Sequence, residues 1–341
     1  MRVAVDVMGG DKAPGEILKG CFQAEQFLDG DDTLFLVGDE KIIHDALNGP
    51  ENTIPPGKRK HYKVIPTTEV IEMDDPPAQS IRSKPNSSIA VMCKMAGKGE
   101  CDAVVSAGNT GACVAAAQLR MRTLPGVSRP GIAVILPTFH GPVVICDVGA
   151  NPEPRPKHLQ QYALMASAYS HEMFDIESPR VTLMSIGEED SKGTAVVKEA
   201  RKLMREEPLI NFVGNTEGRD IFKGSCDVMI TDGFVGNIVL KLAEGMGEGI
   251  FQSILAELQE DAPDLLERFK PVMKKIYARH DWQEHGGAPL LGVGGICMIC
   301  HGRSEARAIK NAVRVAKRLV NSGLNKRIVE RIEKSIPVSE E

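Results

Sequence analysis

Short apolar runs that close on a polar residue or glycine recur along this 341-residue chain, at 3–8, 34–38, 103–107, 143–148, 181–186, 228–231 and 296–300. Each is followed by a segment with helical spacing of its apolar positions. Val/Ile-rich runs without polar alternation are strands buried on both faces. Their alternation with helices predicts an α/β fold, a mainly parallel doubly wound sheet in an α/β/α sandwich. Pro14 fits a first helical turn, Ser304 can cap a helix over 305–321, and Gly323 can end it. Three prolines make 48–60 read as an exposed loop. At this length the chain can form one large α/β unit or two lobes around a cleft.

Ligands of open parallel sheets sit beyond the carboxyl ends of the strands. The residues that stand at such ends in this chain are Asp6 with Gly9, Gly10 and Asp11; Ser106 with Asn109; Asp147 with Asn151; Ser185; Asn215; Asp232 with Gly233; and His301. Such residues also favour turns for conformational reasons alone, but seven clusters at strand ends point to a polar cleft. The most informative stretch is KGSCDVMITDGFVGNIVLKLAEG at 223–245. There a strand ends at Asp232, Gly233 and Gly236 allow a tight turn, and a periodic helix is expected from Asn237. Free N–H groups at a helix start attract anions. Asn237 and Lys241, one turn apart, add an amide and an ammonium where a metal site would need carboxylates. The expected guest is a phosphate or a developing oxyanion. Lys192, in SIGEEDSKGT, is either a solvent-facing lysine or a second cation of the site. For Asn109, Asn151 and Asn237, helix capping competes with ligand contact, and His301 reads equally well as a structural histidine.

Residues 245–283 carry two helical faces. Ile250, Phe251, Ile254, Leu255 and Leu258 belong to one; Leu265, Leu266, Phe269, Val272, Met273, Ile276 and Tyr277 belong to the other. Pro263 marks the turn between them, and Arg268, Lys270, Lys274, Lys275 and Arg279 line the second helix. Such a basic amphipathic hairpin suits a dimer contact, an anionic membrane surface, or both.

Net charge is −5, with residues 301–341 contributing +5. Aromatic residues at 4% supply too few stacking platforms for nucleic-acid binding. No apolar run reaches 18 residues and the start MRVAVDVMGGD lacks a signal-peptide core, so an intracellular protein is expected, meeting a membrane only peripherally. The eight cysteines are expected to be buried thiols, including Cys297 and Cys300 of the one CxxC. There is no GxGxxG, no GxxxxGK[ST], no GxSxG and no HExxH.

Taken together, the blocks DVMGGDKAP (6–14), VSAGNTGA (105–112), DVGAN (147–151), SIGEEDSKG (185–193), FVGNTEGRDI (212–221), TDGFVGNIVLK (231–241), GGAPLLGVGG (286–295) and HGRS (301–304) resemble the bacterial acyl-carrier-protein:phosphate acyltransferases of phospholipid synthesis. PEPRP at 152–156 and the SIGEED start depart from that family's usual pattern. The resemblance implies one catalytic region over 1–341 on the scaffold of isocitrate and isopropylmalate dehydrogenases and phosphotransacetylases. It implies transfer of a long-chain acyl group from acyl carrier protein to inorganic phosphate, without cofactor or metal, by a cytoplasmic homodimer associated peripherally with an anionic membrane or a downstream membrane acyltransferase. It also points to Lys192 and Asn237 as catalytic residues. The related dehydrogenases carry a stretch resembling TDNLFGDILSD whose acids hold a metal. Laid on ITDGFVGNIVLKL, Asp232 remains while Asn237 and Lys241 replace two acids, which turns a cation site into an anion site. Two rival readings stay open: a coenzyme A-dependent short-chain phosphotransacylase, and a non-catalytic docking protein for carrier protein and membrane.

Overall fold

The computed structural model describes residues 1–50, 52–280, 284 and 286–336, without the side chains of 277–280. The first half of the chain alternates strands β1 (Arg2–Asp6), β2 (Thr33–Gly38), β3 (Tyr62–Pro66) and β4 (Ala103–Ser106) with helices α1 (Gly15–Gln23), α2 (Glu40–Asn48), α3 (Pro77–Ser83), α4 (Ser88–Gly97) and α5 (Thr110–Ala116). A hairpin of β5 (Gly131–Thr138) and β6 (Gly141–Cys146) leads to α6 (Pro156–Phe174), β7 (Arg180–Met184), α7 (Ala195–Glu206), β8 (Asn211–Thr216) and β9 (Val228–Ile230). Two long helices follow, α8 (Gly233–Asp261) and α9 (Pro263–His280). The chain then forms β10 (Ala288–Leu291), β11 (Ile296–Ile299), α10 (Ala306–Ser322) and α11 (Leu324–Lys334).

All eleven strands join one sheet in the order β3-β2-β1-β4-β11-β10-β5-β6-β9-β7-β8. The five strands from β3 to β11 are mutually parallel, as are the four from β6 to β8. Three antiparallel pairings, β11 with β10, β10 with β5 and β5 with β6, separate these blocks. Their effect is to reverse direction, so the carboxyl ends of the two parallel blocks lie at opposite strand ends. The polar clusters therefore fall into two groups, one at the carboxyl ends of each parallel block.

The seven apolar runs are β1, β2, β4, β6, β7, β9 and β11, each within two residues of its expected limits. Four further strands lie outside that pattern. Edge strands β3 and β8 carry Lys63 and Asn211 and are only half buried, while β5 and β10 lead into another strand instead of a helix. Two apolar clusters fill the two faces of the sheet. Cys297 belongs to one and Cys300 to the other, as expected of residues three apart in and just beyond a strand. All eight cysteines are buried and free.

Three local expectations change. Within 48–60, Ile54 is buried and a 3-10 turn begins at Pro56, so that segment is not a wholly exposed loop. Ser304 does not cap α10: its Oγ is buried without a partner among the described residues, and the Ala306 N–H is taken by the Glu16 carboxylate of α1 at 2.8 Å. Gly323, in the left-handed conformation at φ 70°, does end that helix. Of the hairpin expected over 245–283, residues 281–283 and the side chains of Tyr277 and Arg279 lie outside the described residues. Pro263 does open the second helix.

Candidate active site

At the carboxyl edge of the first block, Asp6 is fully buried. Its Oδ2 accepts from Ser106 Oγ at 2.7 Å, its Oδ1 accepts from Met8 N–H at 3.1 Å, and Ser106 Oγ accepts from Gly108 N–H at 3.0 Å. Burial pushes the Asp6 carboxyl above the usual carboxylate range, against the opposing pull of its hydroxyl and N–H donors. Gly9 lies so close to Gly108 that a Cβ there would stand 2.9 Å from the Gly108 Cα. Gly10 holds φ +111°, and Asp11 N–H donates to Gly302 O at 2.8 Å. His301 Nδ1, on the same edge, accepts from Arg303 N–H. Asn109 is 6% exposed and fully committed. Its Oδ1 caps α5 through Ala112 N–H, and its Nδ2 donates to the carbonyls of Glu72, Met73 and Asp75 at 3.0–3.3 Å. Capping is therefore one role this asparagine fills, with its amide engaged within the chain.

The second block organises a different set. The buried Asp147 carboxylate gathers four backbone donors: Ile132, Gly149 and Ala150 on Oδ1 and Asn151 on Oδ2, at 2.7–3.2 Å. Burial nevertheless raises its pKa. Asn151 donates its amide to Pro130 O and Tyr162 Oη, at 2.7 and 2.6 Å. Helix α8 docks on this loop. Gly233 N–H donates to Asn151 O at 2.8 Å. A Cβ on Gly233 would meet Asp147 Oδ2 at 2.7 Å, and one on Gly236 would strike the Asp147 carbonyl. These glycines are thus helical residues chosen for close approach, and α8 starts at Gly233, four residues before the expected Asn237.

That early start reduces the anion site. Asp232 is the N-cap, its Oδ1 accepting from Val235 N–H at 2.7 Å, and Gly236 N–H bonds to Asp232 O. Phe234 is left as the first-turn N–H without an acceptor among the described residues. Asn237 is half-buried and Lys241 exposed, both on the first two turns. Lys192 is exposed in the loop after β7, and β7 pairs directly with β9, the strand that delivers Asp232 and α8. Asn215, at the end of β8, donates from Nδ2 to Glu189 O at 3.4 Å, while its Oδ1 is buried without a partner among the described residues. Strand adjacency thus collects Lys192, Asn215, Asp232, Asn237 and Lys241 on one edge. Asp6, Ser106, Asn109 and His301 occupy the other.

Exposed apolar side chains extend further along α8 than its sequence periodicity indicates. Phe234, Ile238, Leu242, Met246, Ile250 and Ile254 recur every four residues and are all exposed, from 37% to 63%. At 100° per residue a four-residue repeat winds around the helix, so these side chains form a spiral row that starts at Phe234 in the first turn and continues along α8. Its first members sit among glycines, which hides the period. Among the described residues, no helix is long and apolar enough to cross a membrane.

Comparison with known proteins fits this arrangement. The model of a family described as fatty acid synthesis protein matches residues 1–327. The phosphate acyltransferase of Desulfitobacterium hafniense is 44% identical over 341 residues, covering 99% of this chain and 98% of its own. Among solved structures, the fold is similar to EutD phosphotransacetylase from Staphylococcus aureus (TM-score 0.60, 17% identity, 94% of both chains). It is also similar to a 4-hydroxythreonine-4-phosphate dehydrogenase from Klebsiella pneumoniae (TM-score 0.51, 13% identity, 94% of this chain and 99% of that one). The two structural likenesses establish a shared α/β scaffold, and the full-length sequence match goes further: the chain belongs to the phosphate acyltransferases of the fatty acid synthesis protein family.

Proposed function

We propose that this protein transfers a long-chain acyl group from the thioester of acyl carrier protein to inorganic phosphate, releasing acyl phosphate and the free carrier thiol. The observation that carries this reading is the pairing of β7 with β9, which brings the loop of Lys192 to the same sheet edge as the capped start of α8, the helix that bears Asn237 and Lys241. A phosphate oxygen attacks the thioester carbonyl carbon, the carbonyl becomes a tetrahedral oxyanion, and collapse breaks the C–S bond. Phosphate near neutral pH carries its own nucleophilic charge. A thiol of pKa about 8.5 leaves without a strong acid. The protein must therefore hold two anionic reactants together and meet the oxyanion with fixed donors.

In this reading Lys192 meets the phosphate or oxyanion charge, Asn237 and the Phe234 N–H donate to the same anion, and Lys241 adds a second cation. Asp147, Asn151 and Asp232 act indirectly by seating α8. The basic faces of α10 and α9 receive the acidic carrier protein, and the hairpin serves a second copy of the chain or an anionic membrane surface, where a downstream acyltransferase would take the product. The test mixes purified protein with long-chain acyl carrier protein or acetyl-coenzyme A, with and without phosphate. Phosphate-dependent acyl phosphate from the carrier protein supports the reading. Product from acetyl-coenzyme A alone would assign a short-chain phosphotransacylase instead, and no product from either would leave a docking protein.

A further inference from the structure

The loop that carries Lys192 is exposed from Glu188 to Lys192, yet it is tied down at several points. The Asp190 carboxylate accepts a two-pronged pair of hydrogen bonds from Arg205 of α7, Nη1 and Nη2 each donating at 3.0 Å. Its Oδ1 also lies 3.5 Å from Nε of Arg201, one helical turn earlier. Arg201 is 7% exposed, and its Nε and Nη1 have no hydrogen-bond partner among the described residues. A guanidinium buried this far is costly unless an anion faces it. The loop supplies that anion, so the position of the loop is coupled to charge compensation inside α7. Within the loop, Lys192 N–H closes a turn onto Glu189 O at 3.0 Å. The Lys192 stem lies across Gly187, where a Cβ would meet Lys192 Cγ at 2.8 Å.

We propose that Asp190 is a positioning residue for Lys192: its clasp on Arg201 and Arg205 fixes the loop on α7, and the loop in turn fixes the lysine stem against Gly187. The inference rests on the reading of Lys192 as the cation of acyl transfer. A fork between planar groups defines orientation as well as distance. A misplacement of about 1 Å at a reacting group costs up to roughly a hundredfold in rate.

The experiment compares Arg205→Gln, Asp190→Asn, Asp190→Glu and Lys192→Ala. Arg205→Gln removes the fork while leaving Arg201 its counter-charge, so it keeps the test sound should Asp190→Asn fail to fold. The readouts are kcat, KM for phosphate, Tm, and hydrogen exchange of the 186–194 peptide in the substrate-free protein. Arg205→Gln is expected to lower kcat roughly ten- to a hundredfold with Tm nearly unchanged and faster exchange at Lys192, and Asp190→Glu to retain most of the rate. A wild-type kcat in Arg205→Gln and Asp190→Asn beside an inactive Lys192→Ala would remove the clasp and leave the functional reading standing. Full activity in Lys192→Ala would remove both. Lower kcat with unchanged loop exchange also overturns the clasp.

Discussion

Gly233→Ala isolates the docking of α8 on the Asp147 loop. The new methyl would stand 2.7 Å from Asp147 Oδ2 and 2.8 Å from Asn151 O, with the Asn151 carbonyl carbon at 2.9 Å. Ordinary contact is about 3.5 Å, so helix and loop must separate by roughly 0.7 Å. Neither neighbour yields easily, because one is backbone and the other is held by four N–H donors. The shift stretches the 2.8 Å bond from Gly233 N–H to Asn151 O, worth about 1 kcal/mol, and overpacking adds about 1–3 kcal/mol. It also moves Asn237, one turn along, by a distance that costs on the order of tenfold or more in rate. Gly245→Ala is the control: its Cβ meets nothing within 4 Å, so the same change in the same helix gains up to about 1 kcal/mol of helix propensity. Urea unfolding and steady-state kinetics with acyl carrier protein read both effects. Equal stability and equal kcat in the two variants would refute the close-approach argument.

Asp32 accepts hydrogen bonds from Lys317 and the amino terminus at 2.7 and 2.6 Å, and these partners outweigh burial to hold its pKa at about 2 instead of 3.8. A depressed carboxylate pKa stabilises the fold above the unfolded value and loses that stability as pH falls through the folded one. Asp32→Asn should therefore cost about 2 kcal/mol at pH 7 and little near pH 2, as read by denaturant unfolding at both; a pH-independent difference would reject the linkage. Leu255→Glu with Leu258→Glu on the hairpin should abolish association with anionic liposomes and spare turnover in solution, and dissociation of a dimer in the same variant would assign the face to a second copy. Carrier-protein affinity should weaken as salt rises; an affinity flat from low to high ionic strength would replace the basic docking surface with an apolar one.

What could be read from residues alone follows the range of the interactions that decide it. Buried parallel strands such as β4 and β9 announce themselves because their side chains are apolar up to the polar residue at or just after the strand end. Edge strand β3 does not, since Lys63 and Pro66 are exposed and interrupt the apolar run. Reversal of the sheet between its two parallel blocks depends on pairings such as Leu290 with Ile132, far apart in the chain, and no local pattern encodes it. The same holds for single residues. Asn109 is recognisable as a cap from its place before a helix, but its hold on Glu72, Met73 and Asp75 is tertiary. Glu16 replaces Ser304 as the partner of Ala306 from 290 positions away. Gly233 and Gly236 look like turn residues until the Asp147 loop is seen to leave no room for a side chain. Asp190 had a local signal, an acid two residues before Lys192 with Arg201 and Arg205 on one face of the next helix.

The most direct measurement of direct phosphate attack is a rapid-quench experiment with acylated carrier protein, following carrier thiol, acyl phosphate and the mass of the protein itself. With phosphate present, thiol and acyl phosphate should rise together while the protein mass stays constant; without phosphate, neither should form. Thiol release before phosphate is added, or an acylated form of the chain, would contradict the account.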